Sequence, residues 1–258
     1  MEKQLKVLNR HERDDKQNGV YRSVSNTLDY FCPFSEPNEY MREQIVLGSK
    51  LHKDIENFYN GMKCNNTNAD FIQFTIFADY AKNVLEIEPY RTEWKVYDDD
   101  FKLSGTIDMI FRNKNDRSVF YLYDWKRSKK QSDKDTNRYV VQLNLYKFIL
   151  EKNYGIKISK MFLVYFHPSN TQYRIAYVSE KKVTKYLNRA MEWSIGPEYG
   201  SSKHKTTKKR KINDMDDSSP LKWMSGGNLV KRNYLTALRT RKRHRRSIQR
   251  TKKWTIHQ

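Results

Sequence analysis

The stretch "SGTIDMIFRNKNDRSVFYLYDWKRS", residues 104–128, decides the fold. Aromatic and β-branched residues fill its two ends and a polar run separates them, so it reads as two antiparallel strands around a turn. Each strand carries one carboxylate among apolar neighbours, Asp108 and Asp124, and Lys126 follows the second two residues on. An acid inside a sheet costs several kcal/mol unless it faces water or has a partner. Something is therefore expected to bind there.

Side chains alternate along a strand, so Asp124 and Lys126 share one face while Tyr123 and Trp125 take the other. The same rule assigns Asp108 to the face of Thr106 and Ile110. A turn centred near Asp116 sets Asp108 opposite Asp124, close enough for one cation to bridge them. A turn centred near Lys114 would offset them by about three residues, roughly 10 Å; the first register is preferred. Two converging carboxylates suit a hard divalent ion, Mg²⁺ or Mn²⁺, which takes oxygen ligands. A lysine beside such an ion can hold an attacking water or offset charge developing on a phosphate. On spacing alone, Asp124 and Lys126 could equally form a simple ion pair at a strand end.

Outward from this pair, Ile45, Leu47, Leu51, Ile55 and Phe58 recur at helical spacing, which predicts an amphipathic helix over 40–59, and a second helix follows over about 69–85. Strands are expected at 90–97, 101–111 and 118–126, then a helix at 137–155 stopped by Gly155. Two further strands, "KISKMFLVYFHP" and "QYRIAYVS", precede a closing helix over 179–195. This order is that of an α/β domain with a central mixed sheet flanked by helices. On the first helix, Gly48, His52 and Glu56 stand at i, i+4 and i+8 and form a column. His52 can supply a nitrogen ligand and Glu56 an acid behind it, while Gly48 permits close backbone approach.

Charge divides the chain. Residues 201–258 hold 18 Lys and Arg against Asp214, Asp216 and Asp217, so they carry +15 of the formal +20, leaving +5 for the first 200 residues. The expected organisation is a flexible N-terminus (1–18), one domain (19–196), and a basic, partly disordered linker and tail (197–258). Clustered Lys and Arg point to a polyanionic partner, nucleic acid first. "KKRK" (Lys208, Lys209, Arg210, Lys211) and the run holding Arg241, Lys242, Arg243, Arg245 and Arg246 can neutralise DNA phosphates, or serve as nuclear-localisation clusters, which share this composition. No apolar run approaches the length of a membrane span, the charged N-terminus is no secretory signal, and two cysteines make no disulfide framework. The expectation is an intracellular, nuclear protein that is neither secreted nor membrane-bound.

Five motifs stand in order: "GSKLHKDIE" (48–56), "TEWKV" (92–96), "GTIDMIF" (105–111), "YDWKRS" (123–128) and "QLNLY" (142–146). Together they resemble the RecB-like nucleases of the PD-(D/E)XK superfamily over roughly residues 20–180, most of all the stand-alone exonucleases of mitochondria and of large eukaryotic DNA viruses. The resemblance implies a restriction-endonuclease-like sheet and a Mg²⁺- or Mn²⁺-dependent deoxyribonuclease acting in replication, recombination or repair. It makes His52, Asp108, Asp124 and the backbone carbonyl of Trp125 metal ligands, and Lys126 the catalytic lysine. It further makes Gln142 and Tyr146 a pair that organises the site and contacts DNA, and sets Glu93 where the family often has an acid. Many relatives hold an iron–sulfur cluster with four cysteines; Cys32 and Cys64 cannot, so no cluster is expected. DNA is the expected substrate, with a helicase, polymerase or packaging factor as further partners. The competing readings are a non-catalytic nucleic-acid-binding protein on a nuclease scaffold, and an endonuclease subunit directed by a partner.

Overall fold

A computed structural model describes residues 21–33, 36–129, 133–195 and 221–225. Its elements run β1 (Arg22–Ser23), α1 (Val24–Phe31), α2 (Glu39–Tyr59), α3 (Ala69–Asn83), β2 (Ile87–Asp98), β3 (Leu103–Asn113), β4 (Phe120–Arg127), α4 (Asp133–Asn153), β5 (Ile158–Phe166), β6 (Arg174–Val178), α5 (Thr184–Ile195) and β7 (Leu221–Ser225). Helix α2 begins where the Asn38 side chain accepts the Met41 N–H at 2.9 Å, satisfying one of the amides a helix start leaves without a partner. Its apolar stripe is only partly used. Leu51 and Ile55 are buried, whereas Ile45 is 59% exposed and Phe58 41%, so the helix seats itself on the domain through the turns around His52.

The strands form one mixed sheet in the order β1-β3-β4-β5-β6-β7, with β2 also paired to β3. Strands β4 and β5 are parallel, and α4 makes the long crossover that parallel neighbours require. One face is covered by α2 and α3, where Phe74, Phe77, Phe111, Tyr123, Trp125 and Phe166 form an aromatic core. The Phe77 and Trp125 rings meet edge on at 5.5 Å between centroids, an arrangement that ring quadrupoles favour. The other face is covered by α1, α4 and α5 through Leu28, Val141, Leu145, Ile149 and Leu187. The expected mixed sheet flanked by helices is therefore present.

Register is what shapes the centre of the sheet. The pairs Met109↔Tyr123 through Arg112↔Phe120 centre the β3–β4 turn on Asp116. Strand β3 pairs with β2 along almost its whole length, while its opposite edge pairs with β1 at Leu103 and Ser104 and with β4 only from Met109 onward. Residues 105–108 are thus open on the β4 side, and Asp108 borders that gap. Strict alternation fails at the same residue. Ile107 and Ile110 pack in the α4 core while Met109 and Phe111 pack in the α2–α3 core, so Asp108 does not simply share the face of Ile110 as alternation predicted.

One boundary moves. Residues 221–225, expected within the tail, pair antiparallel with β6 from Arg174↔Ser225 to Val178↔Leu221, so the sheet extends beyond residue 196. "LKWMS" is too short and irregular in its apolar pattern to signal a strand in the sequence. The expected flexible N-terminus and the basic clusters 208–211 and 239–246 lie outside the described residues. Among the described residues no helix is long and apolar enough to cross a membrane.

Candidate metal centre

Where β3 and β4 part, α2, β2 and β3 bring His52, Glu93 and Asp108 together, each with a ligand atom within 4.8 Å of the others. His52 Nδ1 lies 3.6 Å from Glu93 and 3.7 Å from Asp108, and its Nε2–H donates to the Trp125 carbonyl at 3.0 Å. Asp108 in turn accepts the Trp125 backbone N–H at 2.7 Å, just beyond the last β3–β4 pair, Met109↔Tyr123. Thr92 donates its hydroxyl to the Asp108 carbonyl at 3.0 Å. The Asp108 carboxylate and the His52 ring are thus both anchored on the Trp125 peptide units.

Glu93 and Asp108 lie between the same two rungs of the β2–β3 ladder, Thr92↔Met109 and Trp94↔Ile107. Like charges opposed across two strands repel. Glu93 also holds φ at +45°, in the left-handed region that an L residue enters at a cost on the order of 1 kcal/mol. The two acids and the imidazole nitrogen together make a group that could hold a metal ion. Two oxygen donors and one nitrogen fit a hard or borderline divalent ion.

Asp124 and Lys126 sit across the gap on β4. Asp124 is buried, and its carboxylate pairs with the Lys126 ammonium at 2.5 Å. That ammonium lies 4.3 Å from the centroid of the Tyr139 ring on α4, a cation–π contact. Burial raises Asp124 to about 6, with Asp108 adding to the effect and Lys126 opposing it. Burial raises Asp108 too; His52 opposes this and Glu93 reinforces it. For Lys126, burial disfavours the charge but Asp124 and its neighbours outweigh it and hold the ammonium above its ordinary range. Burial also works against the His52 imidazolium, yet Asp108 and Glu93 lift it to about 9.

These shifts share a sign. A group raised on folding contributes stability that is lost as pH climbs through its folded value, so Asp124 loses its contribution by about 6 and His52 by about 9. Without a cation the ionised site therefore weakens the fold as pH rises.

The other expected site residues divide. Gln142 donates to the Tyr146 hydroxyl at 3.3 Å, and the Tyr146 ring packs on Gly105 so closely that a Cβ there would lie 2.5 Å from its Cε1. Gly105 is the glycine the site requires. Gly48 is not, since a Cβ there meets only Arg127 at 3.9 Å. Glu56 bonds Lys53 at 2.8 Å and stands outside the cluster. Asp124, expected among the metal ligands, pairs with Lys126 and lies outside the group formed by His52, Glu93 and Asp108. The Trp125 carbonyl, expected as a ligand, accepts from His52. Tyr139 was missed, although it stands at i−3 to Gln142 and i−7 to Tyr146, the spacing that signals a shared helix face.

Glu93→Gly tests the strain directly. Above about pH 9, where His52 no longer carries the charge that Glu93 favours, losing the cross-strand carboxylate and freeing the backbone should give the metal-free protein about 1 kcal/mol in urea unfolding. If the cluster holds Mn²⁺, the ion should raise the melting temperature of the wild type but not of this variant.

The sequence matches no family model and no curated protein. Among solved structures, the chain is similar to one titled "Crystal structure of SSO0001", at 15% identity and a TM-score of 0.37, over 72% of this chain and 78% of that one.

Proposed function

We propose that the protein is a metal-dependent deoxyribonuclease built on the restriction-endonuclease-like plan. The observation that carries the reading is the meeting of His52, Glu93 and Asp108 with the Asp124–Lys126 pair at the point where β3 and β4 separate. Neither group suffices alone. A structural ion pair does not need a strained glutamate and a histidine beside it, and a bare metal site does not need a largely buried lysine.

Mg²⁺ or Mn²⁺ would be held by His52, Glu93 and Asp108, and when bound it polarises a phosphate and lowers the pKa of a water. The chain's own residues do the rest. Asp124 and Tyr139 keep Lys126 charged and fixed, so its ammonium is aimed before any substrate arrives, and a preset charge of this kind stabilises a developing phosphorane better than a mobile one. Asp108 and Trp125 hold His52 in one ring orientation. Tyr146 over Gly105 braces the gap from the α4 side.

The resemblance of the five motifs to stand-alone exonucleases puts end-directed digestion first and internal cleavage second. The test is digestion of end-labelled single-stranded and duplex DNA with Mg²⁺, Mn²⁺ or EDTA. Metal-dependent products are expected, and the ladder gives polarity. A folded chain that binds DNA but cuts no substrate with either metal would overturn the reading in favour of a binding protein on the same scaffold.

A further inference from the structure

Beyond the metal centre, three strand ends meet on one side of Lys126. Strands β4 and β5 run parallel with Lys126↔Tyr165 and Arg127↔Phe166, and Tyr165 pairs onward with Arg174 at the start of β6. His167 follows Phe166 directly, so it leaves the sheet beside the residues that follow Arg127. Arg174 crosses to the same corner and donates to the Lys129 carbonyl at 2.7 Å.

His167 is held unusually well for a loop residue. The buried Gln73 side chain accepts the His167 N–H at 3.1 Å and donates to the carbonyls of His167 and Asn170, each at 2.9 Å. The Ser169 N–H donates to His167 Nδ1 at 3.1 Å. A neutral imidazole accepting at Nδ1 must carry its proton on Nε2, so the ring presents a fixed N–H donor. Burial lowers the His167 pKa, and Arg127, Lys129 and Arg174 lower it further, with Asp70 opposing. The ring therefore stays a neutral donor among cations.

We propose that His167, Lys129 and Arg174 form a phosphate subsite that grips the nucleic-acid backbone next to the phosphate being cleaved. The inference rests on the nuclease reading for its location relative to the cut, but its chemistry, an anion received by one fixed N–H and two cations, stands on these residues alone. His167 lies two residues beyond the partner of Lys126, about 7 Å along the strand direction, a separation that suits neighbouring phosphates of one strand. Lys129 is exposed at the end of β4 and supplies charge. The Gln73 clamp supplies rigidity, so the donor needs no ordering when the strand binds.

The test is binding of fluorescein-labelled single-stranded and duplex oligonucleotides to the full chain in EDTA, across a salt series. Lys129→Ala keeps the backbone carbonyl that holds Arg174 and should flatten the slope of log affinity against log salt by about 0.7 to 0.9, the value for one lost phosphate contact. His167→Ala removes an uncharged donor, so it should weaken binding about fivefold at every salt concentration with the slope unchanged. Lys160→Ala, on the exposed far end of the same strand, should change neither. The proposal is overturned if Lys129→Ala binds with wild-type affinity and slope, if Lys160→Ala flattens the slope equally, or if the wild-type chain does not bind DNA. A wild type that never cleaves DNA but shows the Lys129 and His167 signatures would end the nuclease reading and leave the subsite standing.

Discussion

On the proposed nuclease reading, Lys126→Ala is expected to slow metal-dependent DNA cleavage by about 10²–10³-fold while leaving DNA affinity within about twofold. The side chain is 17% exposed and lies between Asp124 and Tyr139, so nothing mobile can replace its charge. Lys126→Arg should not restore the rate, because a planar guanidinium cannot occupy the compact site an ammonium fills. Asp108→Asn should cause a comparable loss by another route: it removes an acid of the cluster, so the Mn²⁺-dependent rise in melting temperature disappears with the activity. The two variants together separate charge at the phosphate from possession of the ion. Wild-type turnover in Lys126→Ala would remove the lysine from the mechanism.

Asp70→Ala should cost about 3–5 kcal/mol of unfolding free energy. Asp70, in the first turn of α3, accepts from Arg127 Nε at 2.6 Å, and Arg127 also reaches the Gln44 side chain on α2 at 2.5 Å. The Asp70 and Arg127 side chains are only 6% and 8% exposed, so removing the carboxylate strands a guanidinium away from water. Asp70→Ala with Arg127→Met should recover much of the loss, since the large cost is the unpaired charge and not the missing bond. Urea midpoints with equal m-values check both. A single-variant cost below about 1 kcal/mol would mean that the pair is solvated and does not tie the two helices to β4. Because Arg127 follows Lys126 directly, the destabilised variant should also lose activity.

Much of this was legible without coordinates. Apolar and β-branched periodicity located the longer strands and helices, α2 through β6, because burial selects side chains at the period of each element. The preference for a turn centred on Asp116 correctly anticipated the β3–β4 register. The short strand 221–225 was not legible because five residues without clean alternation carry too little periodic signal.

By itself, the sequence determined the mixed α/β order, the residues that carry ionisable chemistry, and the pairing of Asp124 with Lys126 on one face, since these follow from local periodicity. Tertiary structure alone decided which acids converge. The opening between β1 and β4 beside residues 105–108, the left-handed backbone at Glu93 and the seating of α2 through Leu51 and Ile55 bring Glu93 and Asp108 together beside His52. The physical reason is that convergence depends on where a ladder stops and a helix docks, and those are set by contacts between residues far apart in the chain.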